Sequence, residues 1–310
     1  MRKFFTIAII ALSFNAFAQI PTSGLMGWYP FNGNTNDESI NGNNGTNNGA
    51  TLTADRFGSS NSAYNFNGTS NYISVPNIAV QGANSRTISF WIKTNSTIAG
   101  SMVISTGTDA DVNGGDFNLR LENSNKYIGF MGGNYTAGGY DYYPTGNIVL
   151  NDNVWHNVLV TYNGTTINFY IDGVFEKSTN KTLATNGQAN YIGKSNDWRP
   201  TNAAWYIGSI DDVGYWNRVL TPTEITAVYN YTPCSDTTVT DTQIIYVSDA
   251  NFQSISPKTY FEGTDSLTTS VGGCDSIVNR YTQYVFSANY CTDTIHLTVT
   301  DTLIINANLV

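Results

Sequence analysis

From about residue 24 to residue 231 the chain is written in short segments whose side chains alternate apolar and polar, broken repeatedly by glycine and asparagine. That rhythm restricts the fold more than any other feature. A period of two sends successive side chains to opposite faces of an extended strand, and the Gly and Asn interruptions supply the turns between strands. Within residues 87–93 the apolar Ile88, Phe90 and Ile92 share one face; segments 102–105, 117–121, 127–131, 156–162 and 167–172 read the same way. Asp172-Gly173 stands between two such runs and suits the positive φ angles of a two-residue hairpin turn. One helix is expected, at residues 221–229, with Thr221 as N-cap, Pro222 at the first helical position and Glu224 completing a capping box.

The first residues read as an export leader: Arg2 and Lys3, an apolar run over residues 4–14, then Ala16-Phe17-Ala18 as a small-x-small cleavage site. Removal of residues 1–18 would start the mature chain near Gln19. The run is shorter than the ~20 apolar residues of a membrane helix and no later stretch reaches that length, so a secreted or cell-surface protein without a membrane span is expected. The formal net charge is -9, and charged residues make up only 12% of the chain. Such acidity repels phosphate backbones and argues against a nucleic-acid partner. Cys234, Cys274 and Cys291 all lie in the last quarter, so the first 233 residues must fold without a disulfide.

Several blocks carry a family resemblance. Trp155-His156-Asn157-Val158-Leu159-Val160-Thr161-Tyr162, followed by Phe169-Tyr170-Ile171-Asp172-Gly173, resembles the central hairpin of laminin-G-like and pentraxin-like domains. Tyr191-Ile192-Gly193, Gly208-Ser209-Ile210-Asp211-Asp212-Val213 and Trp216-Asn217-Arg218-Val219-Leu220 with Glu224-Ile225 resemble their closing strand and short helix. The opening block, Trp28-Tyr29-Pro30-Phe31-Asn32-Gly33-Asn34 with Asp37, Ser39 and Asn43, is similar too. The resemblance implies an all-β fold: an antiparallel two-sheet jelly-roll sandwich over residues 19–232, of the concanavalin-A-like type. Lectins, glycosidases and adhesion modules all use this sandwich, so the fold alone does not assign a function.

The remainder is rich in Thr, Ser and Asp, and it repeats. Cys234-Ser235-Asp236-Thr237 with Thr240-Asp241-Thr242 returns as Cys291-Thr292-Asp293-Thr294 with Thr300-Asp301-Thr302, and Gly273-Cys274-Asp275-Ser276 lies inside the first copy. This is similar to a repeat of bacterial cell-surface proteins, which implies a β-rich unit over residues 233–290 and the start of an incomplete second unit over 291–310. Within the first unit a Cys234–Cys274 disulfide is expected, leaving Cys291 unpaired.

Glycoside hydrolysis needs two carboxyl groups roughly 5 to 10 Å apart. Related sandwich glucanases resemble one another in a Glu-x-Asp-x-x-Glu strand, and none of Glu38, Glu122, Glu176, Glu224 and Glu262 begins that pattern. Asp211 and Asp212 are adjacent and are expected on opposite faces of a strand. His156, at the start of a strand beside Trp155, reads as a packed imidazole without a catalytic role. Calcium is the metal the oxygen ligands suit. Asp109, Asp111 and Asn113 precede Gly114 in the manner of an Asp-x-Asp-x-Asn-Gly turn, with Asp116 close behind; the other reading is a polar β-turn. In the resembled fold the first and last strands are neighbours and relatives carry a structural calcium nearby, which nominates Asn32, Asn34 and Asp37 with Asp211 or Asp212; the other reading is a cluster of Asx turns. For a ligand, flat rings among polar side chains suit a sugar: Tyr135, Tyr140, Tyr142 and Tyr143, and Trp198 beside Arg199, whereas Trp205 is expected to fold back on the sheet. The three loops 109–116, 135–143 and 196–205 are expected to converge on one rim. The sequence therefore points to a non-catalytic module that binds an extracellular glycan or a surface protein. Two alternatives stay open: a glycosidase using another Asp pair, and a structural spacer that binds nothing small.

Overall fold

The alternation in residues 87–93 becomes the long central strand of a sheet, and its apolar face becomes the floor of the core. The computed structural model describes residues 20–233 except 77, 79, 99, 108–113, 133–141, 143–147, 188 and 197–204, and beyond them three backbone strands. The strands in chain order are β1 (Leu25–Tyr29), β2 (Thr46–Asn48), β3 (Thr51–Thr53), β4 (Ala63–Asn67), β5 (Tyr72–Ser74), β6 (Arg86–Lys93) and β7 (Ser101–Gly107). They continue as β8 (Asn118–Glu122), β9 (Tyr127–Met131), β10 (His156–Tyr162), β11 (Thr166–Ile171), β12 (Val174–Asn180), β13 (Ala189–Ile192) and β14 (Ile207–Trp216), before helix α1 (Pro222–Tyr229). One sheet of eight strands runs β12-β11-β10-β6-β14-β4-β3, with β1 paired to β14; a sheet of six runs β2-β5-β13-β7-β8-β9. Pairing within both is antiparallel throughout. This is the expected two-sheet jelly-roll sandwich.

The β11–β12 hairpin turns on Asp172 (φ 51°) and Gly173 (φ 75°), the left-handed pair that the Asp-Gly dipeptide suits. Ile88, Phe90 and Ile92 of β6, Val158 and Val160 of β10 and Ile210 and Val213 of β14 face Ile73, Ile104, Leu119, Phe130 and Ile192 of the other sheet, all in one buried cluster. Burying each such side chain contributes roughly 1.5–3 kcal/mol. The opposite face of the eight-stranded sheet is covered by α1, through a second cluster of Trp28, Leu159, Trp216, Leu220, Ile225 and Val228.

Helix α1 starts as its sequence requires. The Thr221 side chain accepts from the Glu224 amide, the Glu224 side chain accepts from the Thr221 amide, and Pro222 is the first helical residue. The Arg218 guanidinium clamps the same Glu224 carboxylate through two hydrogen bonds of 2.8 and 2.6 Å.

Residues Pro233–Val310 form a separate unit. Its strands β15 (Val239–Val247), β16 (Lys258–Val271) and β17 (Cys274–Phe286) lie in the order β15-β17-β16. The leader residues, Cys234 and Cys291 lie outside the described residues, so the export signal and the Cys234–Cys274 disulfide stay proposals.

Candidate functional site

In the six-stranded sheet, Ile73, Ile104, Leu119 and Ile192 point into the core, so their strand neighbours point outward. Tyr191 is the register partner of both Ser74 and Ser105, which places the three on that outer face. Above it the stems of the three loops meet. Gly107, the last residue of β7, bridges to Asp116, and the Asp116 amide donates to the Gly132 carbonyl beyond β9. The Asn196 side-chain amide donates to Asp116 Oδ1 at 3.1 Å and its Oδ1 accepts from Asn118 Nδ2 at 3.1 Å. The Asn196 backbone N–H donates to Ser105 Oγ at 3.0 Å, and Asn118 Oδ1 accepts from the Thr106 amide at 3.0 Å. A buried set of neutral amides and one carboxylate thus fixes where all three loops leave the sheet. Asp109, Asp111, Asn113, Tyr135, Tyr140, Tyr143, Trp198 and Arg199 belong to those loops and lie outside the described residues.

Beside this junction, on the β5–β13 side, three half-buried rings gather. Tyr72 and Tyr191 meet edge to face at 5.7 Å, and Tyr72 and Trp205 lie 6.1 Å apart. Lys194, which bridges to Trp205 through the backbone, holds its ammonium 4.2 Å from the Tyr191 ring centre and 4.4 Å from that of Tyr72. Cation–π attraction of this kind keeps a lysine stem packed on a flat surface while its head stays polar. Trp205 folds back on the sheet as expected. Tyr72 and Tyr191 were missed by sequence reasoning, because each sits in a short strand and reads there as ordinary alternation.

Other expected residues are placed elsewhere. Tyr142, expected among the ligand-touching rings, turns inward: its backbone pairs with Phe130 and its ring stacks on Phe169 at 5.5 Å. A residue directly opposite an inward-facing Phe must face inward too. Asp37 is a loop organiser, accepting from the amides of Trp28, Ser39 and Asn43 and from the Ser39 hydroxyl. Those four donors occupy both of its oxygens. Asn32 is exposed and its carbonyl accepts from Asn34 Nδ2. Asp211 and Asp212 do not point to opposite faces. The register of β14 shifts between Asp211 and Gly214, and Asp212 takes φ 44°, so this bulge breaks the two-residue period and turns both carboxylates onto Arg56. Among the described residues no three His, Cys, Asp or Glu side chains are grouped to hold a metal ion. In the opening loop and closing strand Asp37 is thus engaged by the loop's own donors, and Asp211 and Asp212 by Arg56; calcium at Asn32, Asn34, Asp37 and Asp211 or Asp212 is a proposal.

His156 opens β10 with both ring nitrogens engaged, Nδ1 with Asp172 Oδ2 at 2.8 Å and Nε2 with Asp152 Oδ1 at 3.2 Å. Its pKa is raised, first by the Asp172 hydrogen bond against the opposing effect of burial, then by the charges of Asp172 and Asp152. A raised folded-state value means that the stabilisation is complete below the unfolded value of about 6.5 and is lost as pH rises through the folded one. Replacing His156 by Gln should therefore destabilise the chain more at about pH 6 than at about pH 9 in urea unfolding. A pH-independent difference would show that the imidazole is a neutral spacer.

Two antiparallel sheets packed face to face, with three loop stems rooted together at one place on the smaller sheet, define a jelly-roll β-sandwich. The family model described as the concanavalin A-like lectin/glucanases superfamily matches residues 67–226, and the chain belongs to that superfamily. Among solved structures, the binding domain of Paraclostridial Mosquitocidal Protein 1 is similar with a TM-score of 0.52 at 15% identity, over 66% of this chain and 52% of that one. A Trypanosoma rangeli sialidase mutant displaying trans-sialidase activity aligns with a TM-score of 0.52 at 18% identity, over 69% of this chain and 35% of that one. Domain 4 of AbnA, an extracellular arabinanase from Geobacillus stearothermophilus in complex with arabinotriose, gives a TM-score of 0.49 at 20% identity, over 67% of this chain and 98% of that one. The chain spans about half the length of the toxin domain and about a third of the sialidase. The likenesses to the toxin binding domain and to the sialidase support the same fold. No curated protein matches in sequence.

Proposed function

We propose that the sandwich is a non-catalytic binding module for an extracellular carbohydrate, secreted or held at the cell surface, with its site on the outer face of the six-stranded sheet. The observation that carries this reading is the junction of three loop stems at Asp116 and Asn196, beside the half-buried rings of Tyr72, Tyr191 and Trp205 on the same sheet. A rigid sheet holding the bases of several loops is the usual framework for recognition. Flat rings next to amide and carboxylate groups suit a sugar, whose C–H faces stack while its hydroxyls bond to the polar groups. Membership of a lectin and glucanase superfamily agrees with that ligand class. Trp198, Arg199, Tyr140 and Tyr143 belong to the proposed surface by their loops, and calcium at Asp109, Asp111, Asn113 and Asp116 belongs to the same proposal. The adjacent carboxylates Asp211 and Asp212 are 2% exposed at each residue and tied to Arg56, so they cannot reach a glycosidic bond. No helix among the described residues is long and apolar enough to cross a membrane.

The test is a glycan array followed by calorimetry on the best binder. Tyr191→Ala and Trp198→Ala should each remove a stacking contact worth on the order of 1 kcal/mol, weakening binding about five-fold without unfolding the domain. Asp111→Ala and a chelator should weaken it in parallel. Absence of any glycan ligand would leave the structural-spacer reading as the better one, and a glycan that all three variants bind like the parent would move the site off this face.

A further inference from the structure

At the end of the sandwich where the chain leaves it, one guanidinium ties together three distant segments. Arg56, in the turn between β3 and β4, pairs with Asp212 and lies 3.5 Å from Asp211 Oδ2, both in the β14 bulge. Its second amino group donates to the Tyr231 carbonyl beyond α1. The guanidinium carbon is 4.4 Å from the ring centre of Phe57 and 4.5 Å from that of Trp91, so the plane is held between two aromatic faces. The three charged side chains are 6%, 3% and 2% exposed for Arg56, Asp211 and Asp212. Asp55 folds its own turn by accepting from the amides of Phe57 and Ser59. Its carboxylate and that of Glu38 both add to the negative field at Asp212.

Asp212 Oδ1 is buried and has no hydrogen-bond partner, and because it shares a carboxyl carbon with the oxygen on Arg56, it lies in the same cluster. Buried carboxylate oxygens are costly to leave without a positive partner. The oxygens gathered around the guanidinium, two aspartate carboxylates and a main-chain carbonyl, are the hard donors that calcium takes, usually six to eight at a time. With Arg56 in place its guanidinium already engages an oxygen of each.

The geometry points to Arg56 as an internal counter-cation that stands where a divalent ion would otherwise be needed to close this end of the sandwich. It follows that taking the guanidinium away uncovers a divalent-cation site built from Asp211, Asp212 and the Tyr231 carbonyl. On this reading the β14 bulge needs no divalent ion in the parent chain, since the positive charge is already covalently supplied.

The experiment compares the full chain with Arg56→Met and Arg56→Lys, each melted in chelator and in millimolar calcium, with terbium luminescence as a direct report of metal bound near Trp91. Any calcium held elsewhere acts on all three proteins alike and drops out of the comparison. Arg56→Met should melt roughly 10 °C lower than the parent in chelator and recover a substantial part of that loss in calcium, a response the parent lacks. It should also gain terbium luminescence over the parent. Arg56→Lys keeps the charge, and should show no calcium response beyond the parent's. The proposal is overturned if Arg56→Met gains no extra calcium response or terbium signal, including the case where it fails to fold in either condition. It is equally overturned if Arg56→Lys responds to calcium as strongly as Arg56→Met, because positive charge would then not be what replaces the ion.

Discussion

Trp216→Ala is expected to cost about 3–5 kcal/mol, the range for removing a large buried aromatic, and to lower the melting temperature by roughly 10 °C. Trp216 is among the largest side chains with no exposure at all. Its ring lies across Gly214, where an added Cβ would come within 2.5 Å of it, and packs in one cluster with Trp28, Leu159, Ile225 and Val228. The indole N–H donates to the Pro21 carbonyl at 2.7 Å, so truncation also strands a main-chain acceptor. The ring is thus the common wall between the outer face of the eight-stranded sheet, the helix and the incoming chain. Val174→Ala is the matched control: Val174 is 65% exposed at the tip of the β11–β12 hairpin, and its truncation should change stability by less than about 0.5 kcal/mol. Equal effects from the two variants in urea unfolding would mean that α1 is not docked through Trp216.

The features legible in the sequence are those written locally. Ile88, Phe90 and Ile92 announce a strand and its buried face because a period of two needs only neighbours to be read. Asp172-Gly173 and the Thr221, Pro222 and Glu224 set are equally local, since a turn or a cap is decided within four residues. Short strands β2, β3 and β5, of three residues each, were not legible, because so brief an alternation is indistinguishable from loop and is fixed only by partners far along the chain.

The site shows the same division. Loop positions were readable, since Gly- and Asp-rich stretches interrupt the strands, and the described stems of those loops do meet at Asp116 and Asn196. What could not be read was which side chains stand beside them. Tyr142 turned inward because its pairing with Phe130 dictates its face, and that pairing has no local signature. Asp211 and Asp212 came together because a bulge cancels the alternation that would separate them. Arg56 reaches Asp212 across 156 residues, so only the folded sheet order reveals the pair. Arg86 is a similar case, a guanidinium 2% exposed whose hydrogen bonds go to the Asn84 and Gly82 carbonyls and the Thr185 hydroxyl, with the rings of Phe117 and Tyr162 alongside. Nothing in its surrounding sequence marks it as interior.

Gly107 links the frame to the proposed binding surface, and Gly107→Ala should damage both. It ends β7 at φ 116°, a backbone conformation essentially restricted to glycine, and forcing another residue into such a region costs about 1–3 kcal/mol. A Cβ there would also lie 2.5 Å from the Gly115 carbonyl oxygen and 3.0 Å from the Asp116 Cα, both main-chain atoms that cannot rotate away. The bridge between Gly107 and Asp116 must therefore open, and Asp116 must shift relative to the Asn196 amide that it accepts from. Gly42→Ala separates the two effects, because Gly42 has φ 65° with nothing within 4 Å of its added Cβ, so it reports backbone strain without displacement. Gly42→Ala should cost about 1–2 kcal/mol and leave glycan binding unchanged. Gly107→Ala should lose more stability than that and, when assayed well below its own melting temperature, should lose at least ten-fold in glycan affinity, or about 1.4 kcal/mol. A folded Gly107→Ala protein that binds glycan as the parent does would separate the loop junction from the binding surface and move the site elsewhere on the sandwich.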